Sequence, residues 1–135
     1  MELNPSQIGQ VTELKCQTFL IEKGFNVLLP IGNYLKYDLV FEKKGKFYKI
    51  QCKHAKELET GFKVRTRYDK RDNGRVVKEV YNKDDVDFFM TEYKGKFYMF
   101  PPFGTSETTF WTVPTRLSTQ KVAKNFLAED ILSQL

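Results

Sequence analysis

An α/β fold is what the sequence predicts, and three observations carry it. A capped amphipathic stretch opens the chain, and a second helical pattern closes it. Between them, runs of apolar and aromatic residues are punctuated by two Lys-Gly turns and one Asn-Gly turn. With 135 residues, 41% apolar, 15% aromatic and 29% charged, the chain can bury a real core, and residues 1–135 read as one domain.

In chain order, Asn4-Pro5 sets an N-cap followed by a first-turn proline, and Gln7 stands at the capping-box position. Ile8, Val11, Cys16, Phe19 and Leu20 recur at helical spacing, and Gly24 suits the C-terminal cap. Residues 25–31 read as a buried strand closed by Pro30 to Gly32. Residues 37–42 and 47–53 form strand, turn, strand, with Tyr37, Leu39, Phe41, Tyr48, Ile50 and Cys52 alternating onto one apolar face. Residues 61–81 read as a second hairpin about Asn73-Gly74. Asn82 to Phe89 suits a short helix with Asp85 and Asp87 in its first turns, where acids favour the helix dipole. Thr91 to Phe100 makes a third hairpin, whose Lys94-Gly95-Lys96-Phe97-Tyr98 repeats the turn chemistry of Lys44 to Tyr48. Thr108 to Val113 is a short strand, and Ser118 caps a last helix with Val122, Phe126, Leu127 and Ile131 inward.

Several classes are excluded or disfavoured. No apolar run approaches the ~18 residues of a membrane span, and Met1 to Pro5 lack the basic-then-apolar pattern of a leader, so a cytoplasmic protein with no membrane partner is expected. Cys16 and Cys52 make neither a zinc spacing nor a disulfide framework and are expected as buried, reduced thiols. The net charge of +5 favours an anionic partner.

The chemistry centres on the hairpin at 37–53. With Lys44-Gly45 as the turn, Asp38 lies across from Gln51, and opposed residues hold their Cβ atoms about 5 Å apart on one face. Lys53, two residues on, shares that face. An aspartate inside an apolar strand asks for a reason, and the group suits metal-assisted phosphodiester hydrolysis. A hard cation, Mg²⁺ or Mn²⁺, takes oxygen ligands, which Asp38, the Gln51 amide and the backbone carbonyl of Cys52 supply. Such a cation polarises phosphate and acidifies bound water, while Lys53 orients that water or stabilises charge. Taken singly, Gln51 and Lys53 also fit an ordinary sheet surface, and His54, the only histidine, reads as a strand-end residue.

Asp38, then Gln51-Cys52-Lys53 on a hairpin, after a helix bearing Glu13, resembles the PD-(D/E)xK nuclease superfamily. The likeness is greatest to its intron-encoded homing endonucleases, with Holliday junction resolvases next. It covers mainly residues 5–55, with a weaker echo in Tyr81, in Asp85 to Phe89 and in a strand ending at Pro101. The resemblance implies a restriction-endonuclease-like core, a mixed β-sheet flanked by helices. It casts Glu13 as the first-helix acid, Asp38 as the motif aspartate and Lys53 as the motif lysine. Two departures stand out: Tyr37 replaces the motif proline, and Gln51 stands where a carboxylate is usual. The amide removes one negative charge from the cation site. Glu13, at the border of the helix's apolar face, compensates as a further ligand, and Gly9 allows that helix close to the sheet.

The hairpin at 61–81 supplies the electrostatic clue. From Gly61 to Val80 it carries Lys63, Arg65, Arg67, Lys70, Arg71, Arg75 and Lys78 against Asp69, Asp72 and Glu79. A basic two-stranded ribbon fits the major groove of double-stranded DNA, mostly through phosphate contacts; the same lysines also serve to blunt a sheet edge. Phe103, Phe110 and Trp111 read as core or interface packing. The expectation is a metal-dependent endonuclease of double-stranded DNA, of homing type, acting as a homodimer or homotetramer because one small domain holds one site. A Holliday junction resolvase and a catalytically inactive DNA-binding module remain the alternatives.

Overall fold

The computed structural model describes residues 1–113 and 121–135. Helix α1 (Pro5–Glu22) is followed by β1 (Asn26–Leu28), β2 (Leu39–Lys43), β3 (Lys46–Cys52), β4 (Ala55–Leu58), β5 (Gly61–Arg65), β6 (Arg67–Asp72) and β7 (Arg75–Val80). Then come β8 (Phe88–Tyr93), β9 (Lys96–Phe100), β10 (Glu107–Trp111), β11 (Lys121–Val122), a 3-10 turn (Ala123–Phe126) and α2 (Ala128–Gln134). The fold is α/β with a mixed sheet, as in a restriction-endonuclease-like core. Its five strands run in the order β1-β2-β3-β8-β9, antiparallel except for the parallel pair β3–β8. A second sheet runs β11-β10-β5-β4, and β6–β7 stand apart as a two-stranded ribbon. No described helix is long and apolar enough to cross a membrane.

Two cores lie on the two faces of the five-stranded sheet. Leu39, Phe41, Ile50, Cys52, Met90 and Met99 pack with Cys16 and Leu20 of α1 and Ala128 and Leu132 of α2. Phe89, Tyr98 and Phe100 pack with Phe62, Val64 and Phe110 of the second sheet. Both helices thus cover one face, and a sheet covers the other.

The turn chemistry decided much of this. Lys44-Gly45, Asn73-Gly74 and Lys94-Gly95 all adopt positive φ at both turn positions, the conformation that joins twisted strands in a two-residue hairpin. The capping box forms as expected, with Asn4 and Gln7 each donating a backbone N–H to the other's side chain at 2.9 Å. Gly24 (φ +91°) ends the helix, donating to the Ile21 carbonyl.

Other expectations are corrected. The buried strand at 25–31 shrinks to β1, an edge strand paired only with β2, and Leu28, Leu29 and Ile31 are exposed. Pro30 has no N–H to extend the ladder. Val11 is exposed while Thr12 is buried, its hydroxyl satisfied by the Ile8 carbonyl at 3.0 Å. Gly9 is exposed with open space where a side chain would stand, so it does not bring the helix close to the sheet. Residues 82–87 form a turn rather than a helix: the Asn82 side chain takes the N–H groups of Asp84 and Asp85, and Asp85 takes that of Asn82. Local Asx bonding satisfies the backbone before a helical turn can propagate. Asp87 instead ties β3 to β8 by accepting the Lys49 N–H at 2.7 Å. At the C-terminal end Val122 lies in β11, and the helix is confined to Ala128–Gln134. The cap expected at Ser118 falls outside the described residues.

Candidate active site

Asp38 stands one residue before β2. The ladder below it has the expected register, closing at Leu39 opposite Ile50. Asp38 itself departs from that ladder. Its N–H donates to the Ile50 carbonyl at 2.8 Å, and its Oδ2 accepts the Cys52 N–H at 2.8 Å. The aspartate therefore bridges the residues on either side of Gln51, and its carboxylate is fixed by a backbone donor. Gln51, half-buried, pairs with Phe89 across the parallel β3–β8 contact, and Lys53 continues that edge by donating its N–H to the Met90 carbonyl at 3.0 Å. A parallel pair buried on both faces is rigid ground for functional side chains.

Helix α1 delivers Glu13. Its neighbours Thr12 and Cys16 are buried against the sheet, which leaves Glu13 half-buried at the rim. Burial, the hydrogen bond with Asp38 and the charge of Asp38 together push the Glu13 carboxyl up to about 7. Two carboxylates sharing one place hold a proton between them, or a cation in its stead. Beneath them Cys16 and Cys52 are buried, free thiols, as expected. The bond with Cys16, then burial, holds the Cys52 thiol well above its ordinary range.

Lys53 is half-buried, with its Nζ 5.2 Å from the centre of the Tyr81 ring. Burial lowers its ammonium pKa, Asp38 opposes that shift, and the Arg65 guanidinium adds to it. Tyr81, itself pushed up to about 12 chiefly by burial, feels Asp38 as well. Beyond it, Lys36 donates to Tyr68 Oη and Asp85 Oδ1, both at 3.0 Å. Sequence reasoning named Tyr81 only as part of a resemblance, took Asp85 also as a first-turn helix acid, and gave Lys36 and Tyr68 no part. No spacing links residues 36, 53, 68, 81 and 85; the sheet crossing brings them together.

The donor types expected of a hard-cation site are present at this end of the hairpin: carboxylates at Asp38 and Glu13 and an amide at Gln51, with Cys16 and Cys52 buried. Among the described residues no group of three or more His, Cys, Asp or Glu is arranged to hold a metal. His54 is exposed between β3 and β4.

The basic residues divide into two groups, correcting the single hairpin. Lys63 and Arg65 lie on β5, inside the second sheet, because Thr66 is buried and breaks the run. Lys63 and Arg67 both pair with Glu107 at 3.6 Å, and Arg65 with Asp69 at 3.4 Å. Lys70, Arg71 and Arg75 lie on the β6–β7 ribbon, where residues 69–78 are all exposed. Phe110 is fully buried, and Phe103 stacks on Phe100, which is the packing role expected of them.

The sequence matches the family of PD-(D/E)XK endonucleases over residues 3–128. The structure is similar to that of a bacterial homing endonuclease, with a TM-score of 0.80 and 23% identity, over 97% of this chain and 93% of that one. No curated protein sequence matches the chain.

Proposed function

The chain belongs to the PD-(D/E)XK endonuclease family, and from that premise we propose that it is a Mg²⁺- or Mn²⁺-dependent endonuclease of double-stranded DNA, of the site-specific homing type. The observation that carries the proposal is the Glu13–Asp38 carboxyl pair, set beside Gln51 and a desolvated Lys53 at one end of the β2–β3 hairpin.

Asp38, Gln51, Glu13 and the Cys52 carbonyl would hold the cation. When bound, it would supply charge for the phosphate and an acidified water. The chain's own residues do the rest. The Cys52 N–H fixes the Asp38 carboxylate so that its free oxygen is aimed before substrate arrives. Glu13, whose proton Asp38 helps to retain, would serve as a ligand once a cation's charge offset that of Asp38. Lys53, with its ammonium destabilised by burial, is suited to taking a proton from the attacking water or to meeting the charge on phosphate. Lys70, Arg71 and Arg75 on the ribbon, with Lys63, Arg65 and Arg67 at its root, face the DNA backbone. One site cuts one strand, so cleavage of both calls for a homodimer or homotetramer.

One feature favours a second reading. Gln51 in place of a carboxylate leaves two acids, which suits an inactive DNA-binding module on the same fold. Incubation with a complex duplex pool containing four-way junctions, in Mg²⁺, separates these. Discrete cuts at a long sequence, lost in EDTA and in Asp38→Ala, are the expected result. Cuts at junctions alone would make the protein a resolvase, and metal-independent binding without cutting would make it a binding module.

A further inference from the structure

The loop from β1 to β2 is the most exposed apolar feature of the described residues near the candidate site. Ile31 is 91% exposed, Tyr34 81% and Leu29 58%. Water contact on such side chains is unfavourable, and a soluble domain rarely concentrates them at one tip without a partner. The tip is shaped rather than slack. Gly32 adopts φ +82°, and the Tyr34 ring lies against it, 3.1 Å from where a side chain would begin.

The root of this loop is the candidate site itself. Lys36 lies five residues after Ile31 and two before Asp38. Its ammonium sits over the Tyr68 ring at 4.8 Å and bonds Tyr68 and Asp85. Tyr68 belongs to β6, the first strand of the basic ribbon. The apolar tip and the ribbon are thus tied together at Lys36, beside Asp38. From Lys23 to Tyr37 the sequence has two lysines and no acidic residue, so nothing in the segment repels a polyanion.

We propose that this loop is a DNA-engaging wedge, in which Ile31 and Tyr34 enter the duplex next to the scissile phosphate and part a base step. Apolar side chains on loops do this from the minor groove, opening the stack and bending the helix. The ribbon on the same root would hold the backbone while the tip deforms it. A second copy of the chain is a poorer occupant. A second copy seated on the tip would leave the tie through Lys36 to the basic ribbon unused, whereas a polyanion engages tip and ribbon together. The inference rests on the nuclease reading and adds to it an element that contacts bases rather than phosphates.

The test uses the full chain and a fluorescein-labelled 40-base-pair duplex of mixed sequence, in EDTA so that nothing is cut. Ile31→Ala combined with Tyr34→Ala is expected to weaken binding about tenfold or more. The slope of log K against log salt is expected to stay unchanged, because every phosphate keeps its partner. Ile31→Leu, which keeps the tip apolar, is expected to bind as the parent does. Equal binding by the double variant, or a lower oligomer mass in light scattering with DNA affinity intact, would overturn the wedge alone. A parent chain that binds no duplex would overturn the nuclease reading and the wedge with it.

Discussion

Asp38 does two jobs that a substitution can separate. It accepts the Cys52 N–H, which is structural, and in the proposed function its second oxygen would serve a cation. Asp38→Asn keeps an acceptor of the same shape for that N–H but removes the charge. The variant is expected to fold like the parent, by circular dichroism, and to lose metal-dependent cleavage by more than the ~10–100-fold that an outer partner of a ligand costs. Glu13 carries a pH signature. Its folded pKa of about 7 lies above the ordinary 4.5, so the folded state binds that proton more tightly than the unfolded chain. The resulting stability is complete below about 4.5 and is lost as pH rises to about 7. Without added metal, Glu13→Gln should therefore be more stable than the parent at pH 8 by about 1 kcal/mol, a figure reduced for the solvent that screens a half-buried group. The difference should vanish near pH 4.5, as urea denaturation at both pH values would show.

At the scale of elements, the ribbon and β5 have different work. Lys70, Arg71 and Arg75 stand on a two-stranded ribbon whose residues 69–78 are exposed. Replacing all three with alanine should weaken duplex binding evenly across sequences. The salt slope should fall by about one for each phosphate no longer neutralised, with little change in unfolding temperature. Strand β5 is instead wedged between β4 and β10. A side chain at Gly61 would meet the Phe110 carbonyl oxygen at 1.9 Å, with the Trp111 backbone at 3.0 Å beside it. Gly61→Ala is expected to cost on the order of 1–3 kcal/mol by overpacking, read as a lower denaturation midpoint at unchanged slope. One long basic hairpin, as the sequence predicts it, hides this division, because alternation of charge continues across Thr66 without a break. Only the burial of Thr66, bonded to the Thr105 carbonyl, marks where one sheet stops and the ribbon begins.

For the whole molecule, two cores on opposite faces of one sheet hold the site between them. Glu13 arrives from the helical side, while Lys53 packs toward Tyr81, whose ring belongs to the core between the sheets. Under the proposed function, a chain with one such site completes a double-strand break by bringing in another copy. Nicked intermediates should therefore accumulate at low protein concentration, and full breaks should rise more steeply than linearly with concentration. Supercoiled plasmid carrying the target, sampled over time on a gel, would check this; linear dependence would mean that copies act singly.

Local chemistry was legible from the residues alone. The capping box at Asn4 and Gln7, the three two-residue turns and the β2–β3 register below Asp38 each depend on neighbours in sequence, and each formed. The same reasoning failed at Asn82 to Phe89, where side-chain bonding to the backbone competes with a helix on nearly equal terms. It failed also at residues 25–31, where pairing, not hydrophobicity, decides whether a strand continues. What only the tertiary structure decided is which distant residues share a place. Glu13 meets Asp38 because α1 buries Cys16 against the sheet, and Lys53 meets Tyr81 because β3 and β8 run in parallel. Parallel pairing joins strands far apart in the chain, and no local periodicity encodes which strands those are.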